Sequence, residues 1–149
     1  MGLIEDVGRG PVAIDTAPFV YFIEEHPDYL PVVLPLFQAV DQGRVAALTS
    51  ELTLLEVLVV PYRSGDIALA ERYEAVLARG RGLKMKALTR SLLKGAAMLR
   101  ARTGLKIPDS IQLAAALAGR CTALVTNDRD FKQVDGLKVL QLRNYLVTG

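Results

Sequence analysis

Four acidic residues, Asp15, Glu56, Asp109 and Asp128, stand within or at the ends of apolar stretches of this 149-residue chain. Asp109 is the sharpest case. The run Leu105-Lys106-Ile107-Pro108-Asp109-Ser110-Ile111-Gln112-Leu113-Ala114-Ala115-Ala116-Leu117-Ala118 reads as a helix apolar on nearly every side, hence buried between its neighbours, with a lone carboxylate in its first turn. Ordinary helix chemistry offers one explanation: Pro108 suits a first helical position, and Asp109 would cap the amides there or complement the helix dipole. The other explanation is that the four acids meet. Carboxylates gathered in a partly dry cleft repel one another and raise their own pKa values unless a cation neutralises them. A hard divalent ion answers that need. Mg²⁺ favours carboxylate and water oxygens and keeps several waters, leaving places for a phosphate oxygen and an attacking hydroxide, and Mn²⁺ accepts the same ligands.

The elements that must position these acids follow from hydrophobic patterning. Pro11-Val12-Ala13-Ile14 is a short run apolar on both faces, as a central parallel strand is, and it ends on Asp15. A short helix through Phe19 to Ile23 follows, broken by His26-Pro27-Asp28. The segment from Tyr29 to Gln42 has helical spacing, with Pro31 and Pro35 predicting a kink or two short helices, and Gly43 stops it. Val45 to Leu48 reads as a second buried strand. Thr49-Ser50 offers an N-cap for a helix from Glu51 that Pro61 closes. An amphipathic helix runs from Asp66 to Arg79-Gly80, and Leu83 to Ala87 alternates apolar and basic residues like an edge strand. Thr89 caps a further helix that Gly104 ends. Beyond the buried helix, Cys121 to Thr126 and Lys138 to Leu142 supply a fourth and a fifth strand.

This alternation of helices and strands predicts an α/β fold with a mostly parallel sheet covered on both faces, in a single domain over residues 1–149. In such a sheet the usable crevice lies beyond the carboxyl ends of the strands, near the point where strand order reverses. Asp15 ends the first strand and Asp128 follows the fourth, so both open onto that rim if those strands are neighbours. Asp109 begins the helix that leads into the fourth strand, so it faces the same rim. Glu56 reaches it from the helix after the second strand. Glu51 is its rival, although a place in the first turn suits a dipole partner. Asp130, two residues beyond Asp128, reads first as a turn residue and second as a member of the site.

Composition narrows the class. Hydrophobic residues make up 51% and charged residues 23%, which is globular and not disordered. One cysteine leaves no intrachain disulfide and fits a reducing compartment. No apolar run reaches the roughly 18 residues of a membrane span, and no basic segment followed by an apolar core opens the chain. The Met1-Gly2 start is not a myristoylation signal, because Asp6 stands where a Ser or Thr belongs. A cytoplasmic protein without a membrane partner is expected. The net charge of +2 is small, but Arg72, Arg79, Arg81, Lys84, Lys86, Arg90, Lys94, Arg100, Arg102 and Lys106 follow one another with only Glu71 and Glu74 nearby. That stretch reads as a solvated helix face or, less commonly, as a footprint for a polyanion.

Val12-Ala13-Ile14-Asp15-Thr16, Glu56 within Thr49-Ser50-Glu51-Leu52-Thr53-Leu54-Leu55-Glu56-Val57, Ile107-Pro108-Asp109-Ser110-Ile111, and Leu124-Val125-Thr126-Asn127-Asp128-Arg129-Asp130-Phe131 together resemble the PIN-domain family, in particular its VapC-type toxin ribonucleases. The resemblance runs from about Val12 to Leu142. It implies a three-layer α/β/α sandwich around a parallel sheet of five strands in the order 3-2-1-4-5, and a Mg²⁺- or Mn²⁺-dependent endoribonuclease. Carried over by position, it makes Asp15, Glu56, Asp109 and Asp128 the metal-binding and catalytic acids, with Thr16 and Thr126 as supporting hydroxyls. It also implies an RNA substrate, a small antitoxin partner and a homodimer.

Two other functions stay open on the sequence. A non-catalytic RNA-binding or regulatory module would keep the fold and bind RNA without cutting it. A phosphatase with Asp15 as nucleophile is the third reading, although Ala17 occupies the place where such enzymes carry a second acid. His26 is the sole histidine, which excludes a multi-histidine zinc site, and Cys121 beside a strand reads as a small core residue. Gly8-Arg9-Gly10 precedes the first strand, so it lacks the setting of a phosphate-cradling loop. The aromatic residues fit packing and do not suggest a base-stacking platform.

Overall fold

The computed structural model describes residues 2–147, so Met1 of the Met1-Gly2 start lies outside them, as do Thr148 and Gly149. The chain runs through α1 (Leu3–Val7), β1 (Val12–Ile14), α2 (Thr16–Ile23), α3 (Leu30–Asp41), β2 (Ala47–Ser50), α4 (Glu51–Ser64), α5 (Ile67–Arg79), β3 (Leu83–Lys86), α6 (Arg90–Thr103), α7 (Ile107–Ala118), β4 (Ala123–Thr126) and β5 (Lys138–Gln141), then a 3-10 turn at Leu142–Tyr145. The five strands form one parallel sheet in the order β3-β2-β1-β4-β5. This is the architecture the motifs implied. β1 is central, with Ala13 beside Leu48 on one side and Leu124 on the other. Strand order reverses at β1 and β4, so a crevice opens past Ile14 and Thr126.

The pleat divides the core into two clusters. Val12, Ile14, Ala47, Ala123 and Val125 face the side covered by α2 to α5, where Phe19, Leu36, Tyr73 and Leu77 are buried. Ala13, Leu48, Leu124 and Val139 face the other side, against Leu113, Ala115 and Ala116 of α7. The small side chains of α7 let it lie directly over β1 and β2. β3 is the edge strand its pattern predicted, with Leu83 and Met85 half-buried and Lys84 exposed.

Several local expectations change. α3 is one helix of 12 residues and not two, because Pro31 stands in its first turn and Pro35 leaves only one further carbonyl without its partner. α4 runs through Pro61 to Ser64. It stops where Gly65 takes φ +74° and the Asp66 amide bonds back to the Pro61 carbonyl, after which Asp66 caps α5 by accepting from the Leu69 amide at 3.1 Å. Ser50 occupies the N-cap position of α4 but makes no cap bond, and its hydroxyl is buried without a partner. Thr49 is used elsewhere. Thr89 does cap α6, accepting from the Leu92 amide at 3.1 Å. α1 was not read from the sequence, since five residues carry too little periodicity to announce a helix. Among the described residues no helix is long and apolar enough to cross a membrane.

Candidate active site

Asp15 sits at the turn between β1 and α2 with its amide on the Val125 carbonyl, 2.9 Å away, so strand pairing fixes its backbone. Its side chain is 9% exposed and makes no cap bond to α2. Instead Oδ2 accepts from the Thr126 hydroxyl at 2.7 Å. Burial raises its pKa. Hydrogen bonds from Thr126 and the Thr16 amide pull the other way, and the charges of Glu56 and Asp128 add to the rise.

Asp109 is the third residue of α7 and 6% exposed. It is the acidic residue of the helix's first turn, a place that suits the helix dipole. Its Oδ2 is buried with no hydrogen-bond partner. Burial, followed by the charge of Asp128, a hydrogen bond with it, and the charges of Asp15 and Asp130, pushes its pKa up to about 7.

Glu56 lies in the second turn of α4, half-buried, where Oε1 accepts from the Thr16 hydroxyl at 2.6 Å. Glu51, the rival, is exposed at the start of that helix. Asp128 follows β4, and its amide donates to the same Thr126 hydroxyl that holds Asp15, at 3.0 Å. Its Oδ1 accepts from the Asp130 amide at 2.9 Å, so Asp130 is indeed in a turn. The two readings of Asp130 are compatible, because Asp109, Asp128 and Asp130 each bring a carboxylate oxygen within 4.8 Å of the others. Asp130 also pairs with Lys106, Oδ2 to Nζ 3.4 Å, at an exposed position.

Asp15, Thr16, Glu56, Asp109 and Asp128 line one cleft of about 320 Å³. Asp15 and Glu56 lie outside the tight group of three but on the same walls. Tyr21 and Asn127 line it too, joined by a 3.1 Å hydrogen bond from Asn127 Nδ2 to the Tyr21 hydroxyl. Both were missed. Asn127 is adjacent to Asp128 in sequence, which was a usable signal; Tyr21 gave none. The basic stretch does not line the cleft, and within it Arg72 and Arg100 are occupied by the carbonyls of Ile23 and Leu105.

The donor set fits a hard divalent cation. Oxygen ligands converge from the start of α7 and the turn after β4, and the unpartnered Oδ2 of Asp109 is a buried acceptor that lacks a positive charge or a donor. Fold and cleft together define an α/β protein with an acid-lined crevice at the switch point of a parallel sheet. The sequence profile of the PIN domain matches residues 12–137, and the chain belongs to that family. No curated protein matches it significantly.

Among solved structures the chain is similar to a toxin–antitoxin complex from Klebsiella pneumoniae, with 21% identity, a TM-score of 0.64, and 85% of this chain and 94% of that one covered. It is similar also to VapBC2 from Rickettsia felis bound to a promoter DNA fragment, with 20% identity, a TM-score of 0.66, and coverage of 87% and 97%. DNA-bound VapBC from Salmonella typhimurium gives 19% identity, a TM-score of 0.61, and coverage of 88% and 97%. At these identities the likeness is one of fold.

Proposed function

We propose that the protein is a Mg²⁺- or Mn²⁺-dependent endoribonuclease and the toxin of a toxin–antitoxin pair. The observation that carries the reading is Asp109: a carboxylate buried beside other carboxylates, one oxygen unpartnered, lining a cleft in a PIN domain. Its folded state is unfavourable at neutral pH without a cation beside it. Membership of the PIN family and the fold shared with toxin–antitoxin complexes support the nuclease and antitoxin parts of the reading.

Asp15, Asp109 and Asp128 hold the ion, and Glu56 completes the ligand set or orients water. When bound, the ion supplies Lewis-acid polarisation of a scissile phosphate and a water of lowered pKa. Thr126 holds Asp15 and the Asp128 backbone in register, and Thr16 holds Glu56. Asp130, drawn toward Lys106, stands at the rim. The basic residues of α5, β3 and α6 lie outside the cleft and take the RNA backbone without reading bases. The protein works in the cytoplasm as a homodimer covered by a small antitoxin until that partner is removed.

Purified protein incubated with single-stranded RNA and Mg²⁺ or Mn²⁺ tests this. Cleavage that chelation stops and that Asp15→Asn and Asp109→Asn abolish is the expected result. Salt-sensitive RNA binding with no cleavage under any metal points instead to the non-catalytic module.

A further inference from the structure

We infer that Thr49, Thr53 and Gln112 form a buried hydrogen-bonded brace that sets the spacing of Asp15, Glu56 and Asp109. The three polar side chains lie in the apolar interior, each no more than 3% exposed, and none lines the cleft. Gln112 Nε2 donates to Thr53 Oγ1 at 2.8 Å. The hydroxyls of Thr53 and Thr49 lie 2.7 Å apart, and Thr49 Oγ1 donates to the Ile14 carbonyl at 2.7 Å. A hydroxyl has one proton, and Thr49 spends its own on Ile14, so Thr53 is the donor to Thr49. The chain therefore runs in one direction, from the Gln112 amide through Thr53 and Thr49 to Ile14.

Each point of the brace is close in sequence to an acid of the cleft. Ile14 precedes Asp15. Thr53 is three residues before Glu56 on α4, and Gln112 is three residues after Asp109 on α7, spacings that put each pair on one helix face. The brace thus ties together β1, α4 and α7, the elements that carry Asp15, Glu56 and Asp109. Thr16 links it to the site from the other side: its hydroxyl donates to Glu56 and lies 3.5 Å from Thr53 Oγ1.

Stability alone gives no reason for this arrangement. Apolar side chains of the same shape would fill the space without desolvating three polar groups. Directional hydrogen bonds add a defined register, and mutually repelling carboxylates need one if they are to be held at fixed spacing before any cation binds. Thr49, Thr53 and Gln112 are therefore positioning residues. Their consequence for metal binding rests on the nuclease reading of the cleft; the geometry does not.

The test compares the wild type with Thr53→Val, Thr53→Ser and Gln112→Met, by MnCl₂ titration, thermal melting and metal-free crystal structures. Thr53→Val and Gln112→Met are expected to weaken Mn²⁺ binding roughly tenfold or more, with Thr53→Ser restoring it because the hydroxyl returns. In the metal-free crystals the carboxylates of Glu56 and Asp109 shift in Thr53→Val and stay in place in Thr53→Ser. Should Thr53→Val fail to fold, Gln112→Met removes only the outer link and carries the same comparison. A folded Thr53→Val or Gln112→Met that keeps wild-type Mn²⁺ affinity and unmoved carboxylates overturns the inference. A wild type that binds no Mn²⁺ sinks the nuclease reading instead, and the crystal comparison then decides the brace by itself.

Discussion

The hydroxyl of Thr126 donates to Asp15 Oδ2 at 2.7 Å while accepting from the Asp128 amide at 3.0 Å, so one buried side chain at the end of β4 holds both acids that flank the switch point. A hydroxyl suits this place because it donates and accepts at once. Thr126→Val, which keeps the shape, leaves a carboxylate oxygen and an amide unpaired and is expected to cost about 1–3 kcal/mol of stability. Thr126→Ser should retain most of both interactions. Urea unfolding of the two variants checks the difference.

Asp109 makes the metal-free protein sensitive to pH. Its pKa rises from 3.8 to about 7 on folding. The folded chain therefore holds a proton that the unfolded chain releases between those values. The stabilisation from this group is complete below 3.8 and is lost as pH climbs through about 7. Asp109→Asn should raise the melting temperature in chelator at pH 8 and have much less effect at pH 4. Equal gains at both would show that the carboxyl is not perturbed.

Metal and protons compete for the same oxygens. Adding Mn²⁺ should raise the melting temperature of the wild type, more at pH 8 than at pH 6, and the increment should shrink in Asp109→Asn and Asp15→Asn. Thermal scans over a range of Mn²⁺ concentrations, with Ca²⁺ as a comparison, measure it.

Cys121 is buried beside β4, and burial pushes its thiol up to about 11. Little thiolate exists at pH 8, so iodoacetamide should label the native protein far more slowly than the urea-unfolded chain. Rapid labelling of the native state would contradict the burial.

Packing predictions separate the two faces of the helices. Leu113 of α7 is 1% exposed, and Leu113→Ala should destabilise the fold by about 2–5 kcal/mol. Leu93 of α6 is 44% exposed, and Leu93→Ala should change stability by no more than about 0.5 kcal/mol. Chemical denaturation of both reads the contrast.

Strand and helix order, the parallel sheet and its edge strand at Leu83–Lys86 were legible along the chain, because runs such as Val12–Ile14 and Ala123–Thr126 are apolar on both faces and the helices carry their own stop signals. Boundaries were less so. Pro61 looked like a stop, yet a proline late in a helix forfeits only one hydrogen bond, and it was the left-handed Gly65 that ended α4.

Sequence alone determined that Asp15 ends a strand, that Asp128 follows one, that Asp109 opens a helix and that Glu56 lies within one, since local patterning sets where strands and helices begin and end; that they share a crevice followed only if the first and fourth strands are neighbours. Tertiary structure decided what no local pattern encodes. It left one oxygen of Asp109 buried without a partner, brought Asp130 into the acid group across the turn, put Tyr21 on the cleft wall, and kept the basic stretch off it. It also joined Thr53 to Gln112, which are 59 residues apart and became neighbours only when α4 and α7 packed. Such contacts depend on how side chains from distant segments interlock, and that is fixed by three-dimensional packing and not by spacing along the chain.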